Sequence, residues 1–193
     1  MSAALGIKPP ALPMLVMLIV TLPGCGLQRH AAESAVIEVQ SDYALIRDQV
    51  VSIAPDEGLA IEAAIASAKA SLEGDDAGAA LRTARDLKAT IHVLSERLPD
   101  LRTDLESDWN ALSESLPLTL GSLRHELSTI HSSQDPRRRT ALEEARRALP
   151  DLADQWHEAQ LAREDGRLAE AVKKAHDVTT RAAALVTTTH AGS

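Results

Sequence analysis

Apolar residues recur three and four positions apart along most of this chain, and no stretch alternates apolar and polar residues for long. This spacing places side chains on one face of an α-helix, whereas a half-buried strand needs a period of two. Alanine and leucine, which both favour helix, contribute 33 and 27 of the 193 residues. The sequence therefore predicts an all-α fold with almost no strand. The clearest helical stripe is Val36, Val39, Tyr43, Ile46, Val50 and Ile53.

Prolines, glycines and short polar stretches divide this helical pattern into segments. Proline lacks a backbone donor and commonly ends or kinks a helix. Counting the segments, we expect seven or eight helices, with Pro117 either kinking one helix or separating two. Because the connections are short, neighbouring helices should be antiparallel. We predict an antiparallel helical bundle built from helical hairpins. The interruptions stand at Pro55, Gly74, Pro99, Pro117, residues 132–136, Pro150 and Gly166.

Two parts of the chain match at an offset of 91 residues. Each part reads as a helix, a turn with glycine and an alanine-rich helix. Two explanations stay open: an internal duplication of one hairpin, or a likeness that alanine-rich helices share through composition alone. The matched pairs include Ile65 with Trp156, Ala68 with Ala159, Glu73 with Glu164, Ala84 with Ala175 and Leu87 with Val178.

The second of these parts carries Gly166, Leu168 and Ala171 at a characteristic spacing. Residues 166–175 are similar to the turn and second helix of a tetratricopeptide repeat. That resemblance covers about 30 residues, and no further copy follows at the repeat length, which a stacked array would require. It implies a local helical hairpin and not a peptide-binding array.

The first residues have the pattern of a targeting segment. Lys8 precedes an apolar run over residues 11–22. This run is shorter than the roughly 20 apolar residues that span a membrane, and it suits a secretory signal. We therefore divide the chain into a signal peptide over residues 1–24, a lipidated tether over residues 25–34 and a single helical domain over residues 35–190.

The targeting segment ends in Leu22, Pro23, Gly24 and Cys25. Leucine three residues before a cysteine, with a small residue directly before it, resembles the lipobox of bacterial lipoproteins. The resemblance implies that Leu22 and Gly24 serve signal recognition and that Cys25 carries the acyl chains. Gly26 stands where aspartate would resemble an inner-membrane retention signal, so the implied location is the periplasmic face of the outer membrane. The rest of the chain resembles small alanine-rich helical lipoproteins without assigned function, which implies no activity.

Composition excludes several classes of site once the signal is removed. Cys25 is the only cysteine, and all three methionines precede it. The remaining chain can therefore hold no internal disulfide, no cysteine-ligated metal and no methionine-ligated haem. Its net charge is −8 before processing, which argues against nucleic acid as a partner. We predict no cofactor and no metal.

No motif indicates catalysis. His125 and Glu126 begin like a zinc-protease motif, but that motif needs a second histidine at the position that Thr129 occupies. No histidine has glutamate three residues before it, as a di-iron bundle would require. No glycine-rich phosphate loop and no serine nucleophile motif occurs. We predict that the protein is not an enzyme.

Basic residues are the candidates for contact with a partner. Two interpretations stay open for the arginines: a solvated helix face with pairs such as Glu143 with Arg147, or contact with an anionic group or an acidic partner. The candidate contact residues are Arg85, Lys88, Arg137, Arg138, Arg139, Lys173 and Lys174.

These observations predict a non-catalytic, membrane-tethered lipoprotein of the bacterial envelope. It would act as a binding, scaffold or accessory subunit, attached to the membrane through the Cys25 lipid and bound to an envelope protein. The alternative is a small-ligand or lipid-binding protein with an apolar cavity between its helices. A third interpretation is a factor that self-associates through the stripe over residues 36–53. The sequence does not indicate the oligomeric state.

Overall fold

A computed structural model describes residues 24–129 and 136–190 of the chain. These residues form five α-helices: α1 (Gly24–Ile53), α2 (Pro55–Glu73), α3 (Ala77–Thr129), α4 (Pro136–Glu164) and α5 (Leu168–His190). The described ranges contain no strand, so the all-α prediction is confirmed. The predicted loop over residues 132–134 and the helix cap at Asp135 lie outside the described residues.

The prediction of seven or eight helices is wrong, because three prolines do not end a helix. Pro99 and Pro117 lie inside α3, and Pro150 lies inside α4. All three side chains are on the exposed side of their helix. The carbonyl that loses its helical donor is therefore close to water, which can hydrogen-bond it. Burial of the apolar stripe on the other side then outweighs the preference of proline to end a helix.

The N-terminal bundle consists of α1, α2 and the first half of α3. Arg47 Nε lies 3.0 Å from Glu62 Oε1. This pair joins the last part of α1 to the first part of α2, as expected for two antiparallel helices. Lys88 on α3 pairs with Glu38 on α1. Because α2 turns back into α3, α1 and α3 run in the same direction.

The C-terminal bundle consists of the second half of α3, α4 and α5. Arg146 Nη2 donates to the carbonyl oxygen of Leu127 over 2.9 Å, which fixes the start of α4 beside the end of α3. Lys174 Nζ lies 2.7 Å from Glu158 Oε2, which joins α5 to α4 near their turn. The third helix of the first bundle is thus continuous with the first helix of the second bundle. At 1.5 Å per residue, the 53 residues of α3 extend about 80 Å.

Each bundle has its own apolar core. The N-terminal core is lined by the predicted stripe of α1, with Val36, Val39, Tyr43, Val50 and Ile53 all buried. The C-terminal core contains Trp156, whose ring stacks on Trp109 with centroids 5.4 Å apart and an angle of 22° between planes. Self-association through residues 36–53 would therefore require the N-terminal bundle to open.

The α2–α3 and α4–α5 turns have the same hydrogen bonds at the 91-residue offset. Asp76 N donates to Ser71 O over 2.8 Å, and Arg167 N donates to Ala162 O over 2.8 Å. The single left-handed residue of each turn also falls at the same aligned position, with φ of 61° at Asp75 and 79° at Gly166. This is the bond pattern that closes many helices at a left-handed residue. The sequence match therefore corresponds to two structurally equivalent hairpins.

The stretch that we expected to be a tether is helical. α1 already begins at Gly24, and Ala32 is fully buried. Arg29 Nη1 lies 2.5 Å from Asp75 Oδ1, which holds this first part of α1 against the α2–α3 turn. Tertiary contact with the rest of the bundle extends the helix across residues whose own apolar pattern is weak.

Candidate functional site

The expected anchor point lies at one end of the molecule. Gly24 and Cys25 are in the first turn of α1, while Leu22 lies outside the described residues. Arg29 joins this end to the α2–α3 turn and also lies 3.2 Å from Glu33. These two carboxylates, with Glu33 contributing the larger hydrogen bond, raise the pKa of the Arg29 guanidinium above its ordinary value. The start of α1 is therefore tied to the bundle and does not extend away from it.

The candidate contacts on α3 differ in what they can offer a partner. Lys88 is occupied by Glu38, and this hydrogen bond together with the charge of Glu38 raises the pKa of the lysine. Arg85 is exposed and has no ion pair among the described residues. Of these two residues, Arg85 is the cation that a partner could contact without displacing an internal carboxylate.

The same difference separates the two lysines on α5. Lys174 lies 2.7 Å from Glu158 and 3.7 Å from Glu170, and its hydrogen bond to Glu158 is the main cause of its raised pKa. Lys173 is exposed and has no ion pair within the described part of the chain. Lys174 is thus a cross-link between α4 and α5, which the sequence could not distinguish from its neighbour.

The arginines 137–139 lie in the first turn of α4, beyond the end of α3. Arg139 is exposed, and the side chains of Arg137 and Arg138 are outside the description. The predicted pair of Glu143 with Arg147 is present at 3.5 Å. Residues 121–147 hold six arginines and four acidic residues. This end of the molecule is therefore locally basic in a chain whose net charge is −8.

The structure distributes the basic candidates along the molecule and does not gather them into one surface. His176, close to the lysines of α5, lies 3.9 Å from Asp108 of α3. Counting along α3, this level is about 30 Å beyond Lys88 and about 30 Å short of Thr129, where the arginines of α4 begin. A partner surface that extends less than about 30 Å along the molecule would therefore contact one basic group and not all three.

Two grooves are described on the surface. One, of about 230 Å³, lies between α1 and α2 beside Tyr43, Arg47, Glu62 and Ile65. The other, of about 690 Å³, lies between α4 and α5 and is lined by polar and charged side chains such as Asp154, Glu158 and Arg181. The larger groove therefore differs from the apolar cavity that the ligand-binding alternative requires.

Two serine hydroxyls of α3 are engaged within their own helix. Ser113 donates to Asn110 O over 2.9 Å, and Ser115 donates to Ala111 O over 2.8 Å. Hydroxyls bonded in this way are ordinary helix residues and have no adjacent base. Within residues 24–129 and 136–190, no group of three or more histidine, cysteine, aspartate or glutamate side chains is arranged to hold a metal ion.

No protein family model, no curated protein and no solved structure matches this chain. Among the helices that the structure describes, none is both long and apolar enough to cross a membrane.

Proposed function

We propose that this protein is a lipid-anchored, non-catalytic spacer that holds a binding surface away from the outer membrane, on its periplasmic side. The lipid on Cys25 would attach one end of the molecule to the membrane. The opposite end, where α3 stops and α4 begins, would bind an envelope protein. Scaffold or accessory subunit describes this role better than carrier, because the larger described groove is lined by polar and charged side chains and the smaller one measures only about 230 Å³.

One observation carries the proposal: the expected anchor and the basic segment lie at opposite ends of an elongated molecule. Cys25 is in the first turn of α1, beside the start of α3. Residues 136–139 follow the end of α3, about 80 Å further along that helix. A helical rod of this kind sets how far from its anchor the molecule can reach, and a compact globular module of the same size would reach less far.

Charge indicates the partner's chemistry. The far end carries an excess of arginine in an otherwise acidic molecule. Arginine is suited to pair with carboxylates in a protein interface, because its planar guanidinium donates to both oxygens. We therefore commit to an acidic protein surface as the partner. Contact with the phosphates of a glycolipid is the outcome that would contradict this choice.

Site-specific photo-crosslinking in the bacterial cell tests the proposal. A probe in place of Arg139 should give one discrete protein adduct, and a probe in place of Arg85 should give none. The adduct should disappear in the Cys25→Ser chain, because that chain loses its position relative to the membrane. An adduct from Arg85 alone would place the contact at the wrong end, and a glycolipid adduct would show the wrong class of partner.

A matched pair of charge reversals separates binding from folding. Arg139→Glu should abolish the adduct of a probe placed at a neighbouring exposed position such as Thr140. Arg85→Glu makes the same change of charge at the anchored end and should leave that adduct unchanged. Membrane fractionation of the Cys25→Ser chain tests the anchor separately, since unaltered membrane attachment would contradict lipidation at Cys25.

A further inference from the structure

The two apolar cores are separated by a stretch of α3 in which no side chain is fully buried. From Pro99 to Ala111 three side chains are half-buried, whereas Leu98 and Leu112 on either side are buried. The half-buried side chains, which pack against one or both cores, are Leu101, Leu105 and Trp109. At 1.5 Å per residue this stretch is about 20 Å long. We call residues 99–111 the waist of α3. Helical segments with few buried contacts depend more on their own marginal stability, because most of the stability of a protein helix comes from packing.

Few contacts connect the two bundles across the waist. Leu105, half-buried, is the one residue of α3 that packs against both cores. Outside α3, the described link is between the end of α1 and the α4–α5 turn, where the Ser52 hydroxyl donates to the Gly166 carbonyl. The bundles are therefore joined by one continuous helix, by the shared Leu105 and by the contact of the end of α1 with the α4–α5 turn and α5.

The waist also begins with a residue that weakens its helix. Pro99 has no backbone N–H, so the Ser95 carbonyl lacks its helical donor. Proline is among the few established causes of sharp helix bends. Pro117 is chemically the same, but it follows Leu116 and precedes Leu120, both buried in the C-terminal core. Fully buried residues on both sides hold α3 at Pro117, whereas Pro99 lies at the edge of a stretch that is only half-buried at best.

We propose that the waist of α3 is a hinge about which the two bundles move as rigid bodies. The inference goes beyond the proposed spacer role and rests on the distribution of buried residues alone. A bend of about 20° would displace the far end of the C-terminal bundle by roughly 10 Å, given its length along α3. The molecule would then sweep its basic end over an area while its anchored end stays fixed.

Electron-spin distance measurements test the hinge in the full chain. Cys25→Ser removes the native thiol, and spin labels are placed on pairs of introduced cysteines at exposed positions. The inter-bundle pair is Ala66 on α2 with Ala183 on α5, and the control pair within one bundle is Gln160 with Ala183. The hinge predicts that the inter-bundle distances spread by roughly 10 Å more than the control distances. Equal widths for the two pairs would overturn the proposal.

Two proline variants locate the motion. Pro99→Ala restores a donor at the edge of the waist and should narrow the inter-bundle distribution toward the width of the control pair. Pro117→Ala makes the same substitution in the same helix within a packed stretch and should leave that distribution unchanged. If both variants narrow it equally, or if Pro99→Ala leaves it broad, the waist is not the hinge. Circular dichroism of each variant confirms that the helices are intact.

Discussion

The two bundles use the same hairpin backbone but distribute side-chain volume differently. In the N-terminal bundle the corresponding buried residues of both hairpin helices are leucine or isoleucine, which have the same volume. In the C-terminal bundle the first helix carries the larger residues. The buried positions at the 91-residue offset are Ile61, Ile65, Leu87 and Ile91 in the N-terminal bundle, and Leu152, Trp156, Val178 and Ala182 in the C-terminal bundle.

This difference indicates that the fold constrains the filled space and not the individual side chains. Ile65 and Leu87 share the N-terminal core, and the equivalent residues Trp156 and Val178 share the C-terminal core. Protein interiors are close-packed, and a larger side chain on one helix requires a smaller one on the other. The periodicity and the turn fix the hairpin, while the volume can be exchanged between its two helices.

The bundles also differ in how the second helix of the hairpin starts. Asp76 Oδ1 accepts a hydrogen bond from Ala79 N over 2.8 Å, which caps α3. The equivalent residue, Arg167, has no acceptor to offer. Arg167 instead lies 2.7 Å from Asp165 and 2.5 Å from Glu170. The shared turn therefore does not depend on one particular cap.

The largest effect is expected from truncating Trp156, the largest side chain at these equivalent buried positions. Trp156→Ala should lower the free energy of unfolding by about 3–5 kcal/mol, because it leaves a cavity in the C-terminal core. Ile65→Ala, at the equivalent position, should cost less, since no ring is stacked on Ile65 as Trp109 is on Trp156. Urea unfolding followed by far-UV circular dichroism measures both losses.

A double variant tests whether volume is exchanged as the comparison implies. Trp156→Ile alone should destabilise the C-terminal bundle by under-filling it. Adding Val178→Leu recreates the pair found in the N-terminal bundle and should restore part of the loss. A double variant that is less stable than Trp156→Ile alone would show that side-chain volume cannot be moved between the two helices of the C-terminal hairpin.

Much of this architecture could be predicted from the sequence, but not the continuity of its helices. The apolar stripe of α1 and the turn at Gly166 follow from local periodicity and turn chemistry, and the structure confirms them. The effect of Pro99 depends on which side of the helix faces solvent and on what the opposite side buries. Local reasoning does not include this packing, so it ended a helix at Pro99 and left Pro117 open between a kink and a break.

The candidate site was predictable as a set of residues but not as an arrangement. Lys88 and Glu38 are 50 residues apart, and Lys174 and Glu158 are 16 residues apart. Such pairs exist only once α1 lies on α3 and α5 on α4. The sequence therefore could not separate Arg85 and Lys173, which are exposed and without a described ion pair, from the two lysines that cross-link helices.

The next prediction concerns a position where the two bundles are not interchangeable. Gly58 is equivalent to Leu149, but a Cβ atom on Gly58 would lie 3.0 Å from Val50 Cγ1 and 3.2 Å from the Tyr43 hydroxyl. Gly58→Leu should therefore overpack the α1–α2 corner and cost about 1–3 kcal/mol. The control, Gly121→Ala, adds a methyl group to open space in α3 and should stabilise the helix by up to about 1 kcal/mol. Urea unfolding measures both, and a Gly58→Leu chain as stable as the original would contradict the tight corner.

A smaller effect tests the equivalence of the two turns. Gly166→Ala should cost about 1 kcal/mol, because alanine is strained at the φ of 79° that this residue adopts. Asp75→Gly at the equivalent position should relieve strain and lose the contact with Arg29, giving a much smaller net change. Thermal unfolding of the two variants compares them directly. Equal losses from both would indicate that the shared hydrogen-bond pattern does not carry the same energy in the two hairpins.

The smallest effect is the pH dependence that Tyr43 gives to the stability of the N-terminal bundle. Burial, and secondly the negative charge of Glu62, raise the pKa of Tyr43 above its ordinary value of about 10. Because the folded state favours the neutral phenol, the stability that this provides is complete below pH 10 and is lost as the pH rises through the folded pKa. Tyr43 is the only tyrosine, so its ultraviolet titration reads this pKa directly. Tyr43→Phe should remove the part of the alkaline loss of stability that Tyr43 contributes, while keeping the ring. A folded chain whose tyrosine titrates at the same pH as in urea would show that the α1–α2 corner does not exclude water from the hydroxyl.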